Sequence, residues 1–115
     1  MHELSIALGI VDVAAEEAAR RPGRIVAIHL KLGELSGVVA DALQSAFELA
    51  REQQPELAGA ELRIEEVPVT VYCPACAAER AVAFPHLSCP DCGTPTPEVI
   101  RGRELEVVAL EIESS

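Results

Sequence analysis

Residues 68–102 read PVTVYCPACAAERAVAFPHLSCPDCGTPTPEVIRG, and this stretch decides how the rest of the chain divides. It holds all four cysteines of the 115-residue sequence, in the pattern C-x2-C-x12-C-x2-C: Cys73, Cys76, Cys89 and Cys92. Two residues between ligands let a tight turn aim both sulfurs at one ion, and two such turns supply a closed tetrahedron of thiolates. Pro74 and Pro90 stiffen the turns, and Gly93 permits the positive φ such a knuckle needs. The expected occupant is structural Zn²⁺. A disulfide pair conflicts with a reducing compartment. A rubredoxin-type iron site would be ringed by aromatics, but only Tyr72 and Phe84 are present. Catalytic zinc needs an open position, which only replacement of a thiolate by His86 would create. The −2 charge of a loaded site is expected to be offset by knuckle backbone N–H groups, with Arg80 a further candidate. Such a unit has little apolar core, so the metal supplies much of its folding free energy.

The flanks have a different composition. LSIALGIVDVAAEEAARRPG (4–23) carries apolar residues at Leu4, Ala7, Leu8, Val11, Ala14, Ala15 and Ala18, the spacing of an amphipathic helix, and Pro22-Gly23 ends it. RIVAIHLKLG (24–33) alternates as a strand, with Val26, Ile28, Leu30 and Leu32 on one face and Ile25, Ala27, His29 and Lys31 on the other. GELSG (33–37) makes a loop. A second helix is predicted over 39–53 with Leu43, Ala46, Phe47 and Ala50 inward, stopped before Pro55. Strands are predicted at 60–67 and 104–113. The expected fold is α+β: two helices on a three-stranded sheet, formed by 1–67 plus 104–115, with 68–103 inserted as a zinc-ribbon-like sub-domain.

Composition narrows the function. Nineteen acidic against nine basic residues give a formal charge of −10 and a pI near 4.6, unsuited to neutralising phosphates. No nucleic-acid partner is expected. No apolar run reaches the roughly 18 residues of a membrane span, and the first segment has no basic n-region, so no membrane association and a cytoplasmic location are expected. Catalytic motifs are missing too: Ser36 in GELSG lacks the G-x-S-x-G spacing, and no phosphate loop is present.

The amino terminus, MHELS (1–5), admits two readings. In one, His2 is a solvated terminal residue and the charge of Glu3 favours the helix N-terminus. In the other, the free amine of Met1, the His2 backbone nitrogen and the His2 imidazole chelate one ion in adjacent five- and six-membered rings, with the Glu3 amide or carboxylate completing the set. Deprotonated amide nitrogen favours square-planar or tetragonal metals, Ni(II) or Cu(II).

Taken in order, the M-H-E-L-S start, the G-E-L-S-G loop, the C-P-x-C…C-P-x-C-G module and the closing strand after Gly102 resemble the HypA/HybF family, nickel metallochaperones for maturation of NiFe-hydrogenase. The resemblance implies a nickel-binding α/β domain and a zinc sub-domain, with Met1, His2 and Glu3 in the nickel role and Cys73, Cys76, Cys89 and Cys92 in the zinc role. It implies delivery, with a HypB-type GTPase partner, to the hydrogenase large subunit, and in some relatives to urease; the sequence leaves monomer and homodimer both open. Some members place a carboxylate after the G-E-x-S loop, where Asp41 is out of register and a helix-cap role competes. Others place a histidine after the second cysteine of each pair. Ala77 and Gly93 stand there instead, so a pH-driven ligand swap is not expected. The rival reading is a zinc-ribbon interaction or transcription-associated module with an idle terminus; a small iron electron-transfer protein is a third. His29, His86, Glu34 and the acidic pairs at 16–17 and 65–66 read as solvated or loop residues.

Overall fold

A computed structural model describes residues 2–114. Helix α1 spans Glu3–Arg20 and helix α2 spans Ala40–Ala50, the latter running on into a 3-10 turn at Arg51–Gln53. The strands are β1 (Arg24–Gly33), β2 (Glu61–Val67), β3 (Thr70–Cys73), β4 (Ala78–Ala81), β5 (Val99–Arg101) and β6 (Leu105–Glu113). They form two three-stranded sheets, ordered β2-β1-β6 and β4-β3-β5. β1 and β2 are parallel, so the chain between them must cross over, and α2 provides that crossover. β6 returns antiparallel on the other side of β1.

Sequence chemistry fixes the ends of α1. Glu3 lies in its first turn and Arg20 in its last, matching the helix dipole. Arg21 leaves the helix at φ −133°, ψ 142°, the extended backbone that a following proline imposes. The two helices pack on the first sheet around Ile25, Ile28, Leu30, Leu43, Phe47 and Leu57, each at most 2% exposed. Burying a side chain of this size stabilises the fold by about 2 kcal/mol.

Two details of the expected phase are corrected. On α1 the core contacts are Ala7, Ile10, Val11 and Ala14, whereas Leu4 and Leu8 are 46% and 42% exposed. At helical spacing Leu4 and Leu8 fall on the flank opposite Ile6, Gly9 and Val13, and it is these last residues that border Leu105 and Val107 of β6. On β1, Ile25 joins the core and Val26 is only half-buried, because an irregularity in the pairing with β6 between Ile25 and Ala27 reverses the alternation. From Ile28 onward the expected face is kept.

The second sheet lies within the cysteine-rich stretch, with buried residues Val69, Val71, Cys73, Cys89 and Thr96. Its connection to the first is pinned at Gly33: its amide donates to the Glu104 carbonyl (2.7 Å), and the Leu35 amide donates to the Gly102 carbonyl (2.6 Å). The early residues of α1, Ile6 and Gly9, border Leu105 at the start of β6, whereas Glu17 and Arg21 border its later residues. The start of α1 is therefore at the end of the base from which the cysteine unit departs.

Candidate metal centre

Cys73 closes β3, and the chain turns through Pro74-Ala75-Cys76 into β4, which pairs antiparallel with β3. The second knuckle, Cys89–Cys92, is closed by two backbone bonds: the Cys89 amide donates to the Thr94 carbonyl (2.9 Å) and the Gly93 amide to the Cys89 carbonyl (2.8 Å). The residue after each pair is left-handed, Ala77 at φ 52° and Gly93 at φ 77°. The two knuckles thus share one backbone device. Gly93 was the expected place for it; Ala77 takes the same conformation despite its Cβ.

Together the knuckles bring the four sulfurs within 4.8 Å of one another. Cys73 and Cys92 Sγ are 3.6 Å apart and Cys76 and Cys89 Sγ are 4.0 Å apart. A tetrahedral ion with metal–sulfur bonds of about 2.3 Å requires sulfur–sulfur edges of about 3.8 Å. The measured pairs straddle that value, and both are far longer than a disulfide bond of roughly 2.05 Å. The residues fit a four-thiolate ion, and all four tetrahedral positions are taken by protein.

The surroundings prepare these sulfurs unequally. The Cys76 amide donates to Cys73 Sγ at 3.4 Å, one of the backbone donors expected for such a site. Cys92 is lowered to about 6, chiefly because the Thr94 hydroxyl, 3.1 Å away, and the Thr94 backbone donate to its thiolate. Burial pushes Cys89 up, but the Cys92 and Asp91 backbone N–H groups outweigh it and the net direction is down. Cys76 is pushed up to about 12, because its thiol donates to the Cys92 and Cys73 sulfurs. Thr94 and Asp91 were not singled out from the sequence; their nearness to Cys92 in the chain was the available signal. His86 is exposed on a turn, its amide bonded to the Ala83 carbonyl, and is not part of the cluster.

At the other candidate site, His2 is the N-cap residue of α1, exposed, at φ −102° and ψ 63°. Its carbonyl accepts from the Ile6 amide at 3.1 Å, but its side chain makes no capping bond. Amides at a helix start have no helical carbonyl to donate to. The His2 and Glu3 nitrogens and the His2 imidazole are thus left unused by the helix. Glu3 is half-buried in the first turn, and Met1 lies outside the described residues. His29 instead faces Glu111 (Nε2–Oε2 3.4 Å), with Arg63 on the same carboxylate at 2.8 Å. Asp41 is exposed in the first turn of α2, whose N-cap is Val39. Of the two roles left open for Asp41, the cap position is thus held by another residue. No helix among the described residues is long and apolar enough to cross a membrane.

Comparison with known proteins agrees across sequence and fold. Residues 1–112 match the family model described as "Hydrogenase/urease nickel incorporation, metallochaperone, hypA". The hydrogenase maturation factor HypA of Chloroflexus aurantiacus is 56% identical over 113 residues, covering 96% of this chain and 98% of that protein. That of a Roseiflexus species is 48% identical over 118 residues, covering 98% and 93%. The solution structure of the Ni metallochaperone HypA from Helicobacter pylori superposes with a TM-score of 0.67 at 26% identity, covering both chains fully. A further HypA solution structure gives 0.71 at 26% identity, covering 100% of this chain and 98% of the other. With two helices on a three-stranded sheet, a four-cysteine cluster on a second sheet and a family match over nearly its whole length, the chain belongs to the HypA family of maturation factors, which are metallochaperones rather than enzymes.

Proposed function

We propose that this chain carries Ni(II) at its amino terminus and delivers it for maturation of NiFe-hydrogenase, while Cys73, Cys76, Cys89 and Cys92 hold a structural Zn²⁺. One observation carries the nickel reading: within a family of nickel-incorporation metallochaperones, His2 stands exposed at the start of α1 with its imidazole free of any capping bond. The Met1 amine, the His2 amide nitrogen and the imidazole then make the chelate, and Glu3 adds a further donor. A site with a single side-chain anchor on the surface captures Ni(II) yet can release it, as a closed cage would not.

Zinc is favoured at the cysteines by the tetrahedral spacing of the sulfurs and the near absence of aromatics around them, Phe84 being 51% exposed. Residues 68–103 act as the inserted zinc sub-domain, and 1–67 plus 104–115 as the nickel-binding domain. A cytoplasmic location keeps the thiols reduced. The partners in this reading are a HypB-type GTPase and the hydrogenase large subunit. The family description also names urease, but the relatives named above are hydrogenase maturation factors, which favours hydrogenase as the target.

Titration calorimetry with Ni²⁺ on the untagged protein, His2→Ala and an N-terminally extended form tests this directly. The expected result is one Ni²⁺ per chain for the untagged protein and a large loss of affinity in both altered forms. Equal affinity in all three would overturn the terminal site. A colourless protein retaining one Zn²⁺ is expected; a red one would mean iron at the cysteines.

A further inference from the structure

Arg80 lies on β4, four residues beyond the first knuckle, and Asp91 lies inside the second. Their side chains meet, with Arg80 Nε 2.8 Å from Asp91 Oδ2. The Nε–H is not aimed along that line, however, so the contact is ionic. The buried Nε has no directed hydrogen-bond partner among the described residues. Buried N–H groups are rarely left in that state without a reason. Arg80 is also the less exposed member of the pair, its side chain at 30% against 62% for Asp91. Asp91 stands next to the ligand Cys92 in the chain, so the guanidinium paired with it is held beside the second knuckle, while its own strand leads out of the first.

We propose that Arg80 is a positioning residue of the metal site, offsetting the charge of the loaded tetrathiolate and tying one knuckle to the other through Asp91. This rests on reading the four cysteines as a metal site. Four thiolates around a divalent ion leave a net charge of −2, which disfavours retention unless nearby positive charge or N–H donors balance it. The guanidinium supplies both. Its link to Asp91 holds that positive charge at the second knuckle on a side chain of the strand that leaves the first. Arg80 thereby resists the first step of metal loss, in which one knuckle swings away from the other.

A built-in control lies on the same small sheet. Arg101 of β5 pairs with Glu79 of β4 at 2.5 Å, both side chains about half exposed. The causes of its raised pKa are Glu79 and Glu104, with no cysteine among them. It ties β5 to β4 through a partner outside both knuckles.

The test uses full-length protein loaded with Zn²⁺ or Co²⁺, comparing wild type, Arg80→Gln, Arg80→Lys and Arg101→Gln. Chelator-driven zinc release is expected to accelerate about 10- to 100-fold in Arg80→Gln, the range seen when the partners of metal ligands are removed. Arg80→Lys should fall between that and wild type, keeping the charge but losing the planar fork. Arg101→Gln should match wild type. The thiolate-to-cobalt charge-transfer band should move to lower energy in Arg80→Gln, because a thiolate without its counter-charge gives up an electron more readily. Unchanged release and an unmoved band in Arg80→Gln would overturn the proposal, as would an equal effect in Arg101→Gln, which would mean general loosening of the sheet. Absence of a tetrahedral thiolate spectrum in wild type would instead sink the metal reading, and the role of Arg80 with it.

Discussion

Gly33 lies against the backbone of Gly102 and Arg103 so closely that a Cβ at Gly33 would sit 2.6 Å from the Arg103 amide nitrogen. The two glycines mark where the two sheets meet, at the end of β1 and just ahead of β6. The Gly102 amide is held by Glu104 Oε1 at 2.8 Å, and its φ of 124° suits only glycine. Gly33→Ala is expected to cost about 2 kcal/mol, because the obstacle is main chain and cannot turn aside. Urea denaturation followed by helix circular dichroism checks this. A midpoint equal to wild type would mean that the junction gives way freely.

Metal removal should separate the two sheets in stability. The first sheet and its helices share a continuous core that contains no cysteine, whereas two of the five buried residues of the second are themselves ligands. After chelation at neutral pH, the helical signal is expected to persist while amides of 69–101 lose protection from hydrogen exchange. Uniform protection before and after chelation would show that the second sheet stands without its ion.

How much of this was legible depended on range. The cysteine knuckles are local: two residues between ligands fix the turn, so the site could be read directly. The two helices and the three strands of the first sheet also follow local periodicity and were expected, whereas the short strands β3, β4 and β5 of the cysteine unit carry no such pattern and were not. What escaped were features set by distant partners. Leu8 and Ile10 both satisfy a helical stripe, and only the packing of α1 against α2 and β1 decides that Ile10 goes inside. The reversed alternation at Ile25 comes from a pairing irregularity with β6, some eighty residues away. The meeting of Gly33 with Gly102 has no local signal, although both glycines were visible at loop positions.

In the metal-free protein, pH should act through the thiols on whatever fraction of the second sheet stays ordered without its ion. Cys92 falls from 9.0 to about 6 on folding and Cys89 is also lowered. Between those pH values the unfolded chain holds a proton on Cys92 that the folded form lacks, so stability rises with pH. It is fully present above about 9 and lost as pH falls through about 6. Cys76, pushed up to about 12, acts oppositely: its contribution is present below 9 and lost as pH climbs toward 12. The residual amide protection of the metal-free cysteine unit, corrected for the intrinsic pH dependence of exchange, should therefore be greatest near pH 9. A maximum at or below pH 6 would contradict the thiol arrangement.

Ala77 offers a sharper check on the knuckles, because its left-handed backbone (φ 52°) stands where Gly93 (φ 77°) stands in the other half. A non-glycine residue in this region carries roughly 1–2 kcal/mol of steric cost from its Cβ. Ala77→Gly removes that cost but gives the unfolded chain more freedom, worth roughly 0.4–1 kcal/mol in the other direction. The net expectation is a stabilisation of about 0.5 kcal/mol, seen as a higher thermal midpoint for the cysteine unit. Gly93→Ala reverses both terms and should destabilise by a similar amount, with open space around the added methyl group so that no clash contributes. If both substitutions destabilise, the two knuckles are not equivalent in solution, and the left-handed turn at Ala77 is held by something other than the demands of the Cys73–Cys76 turn.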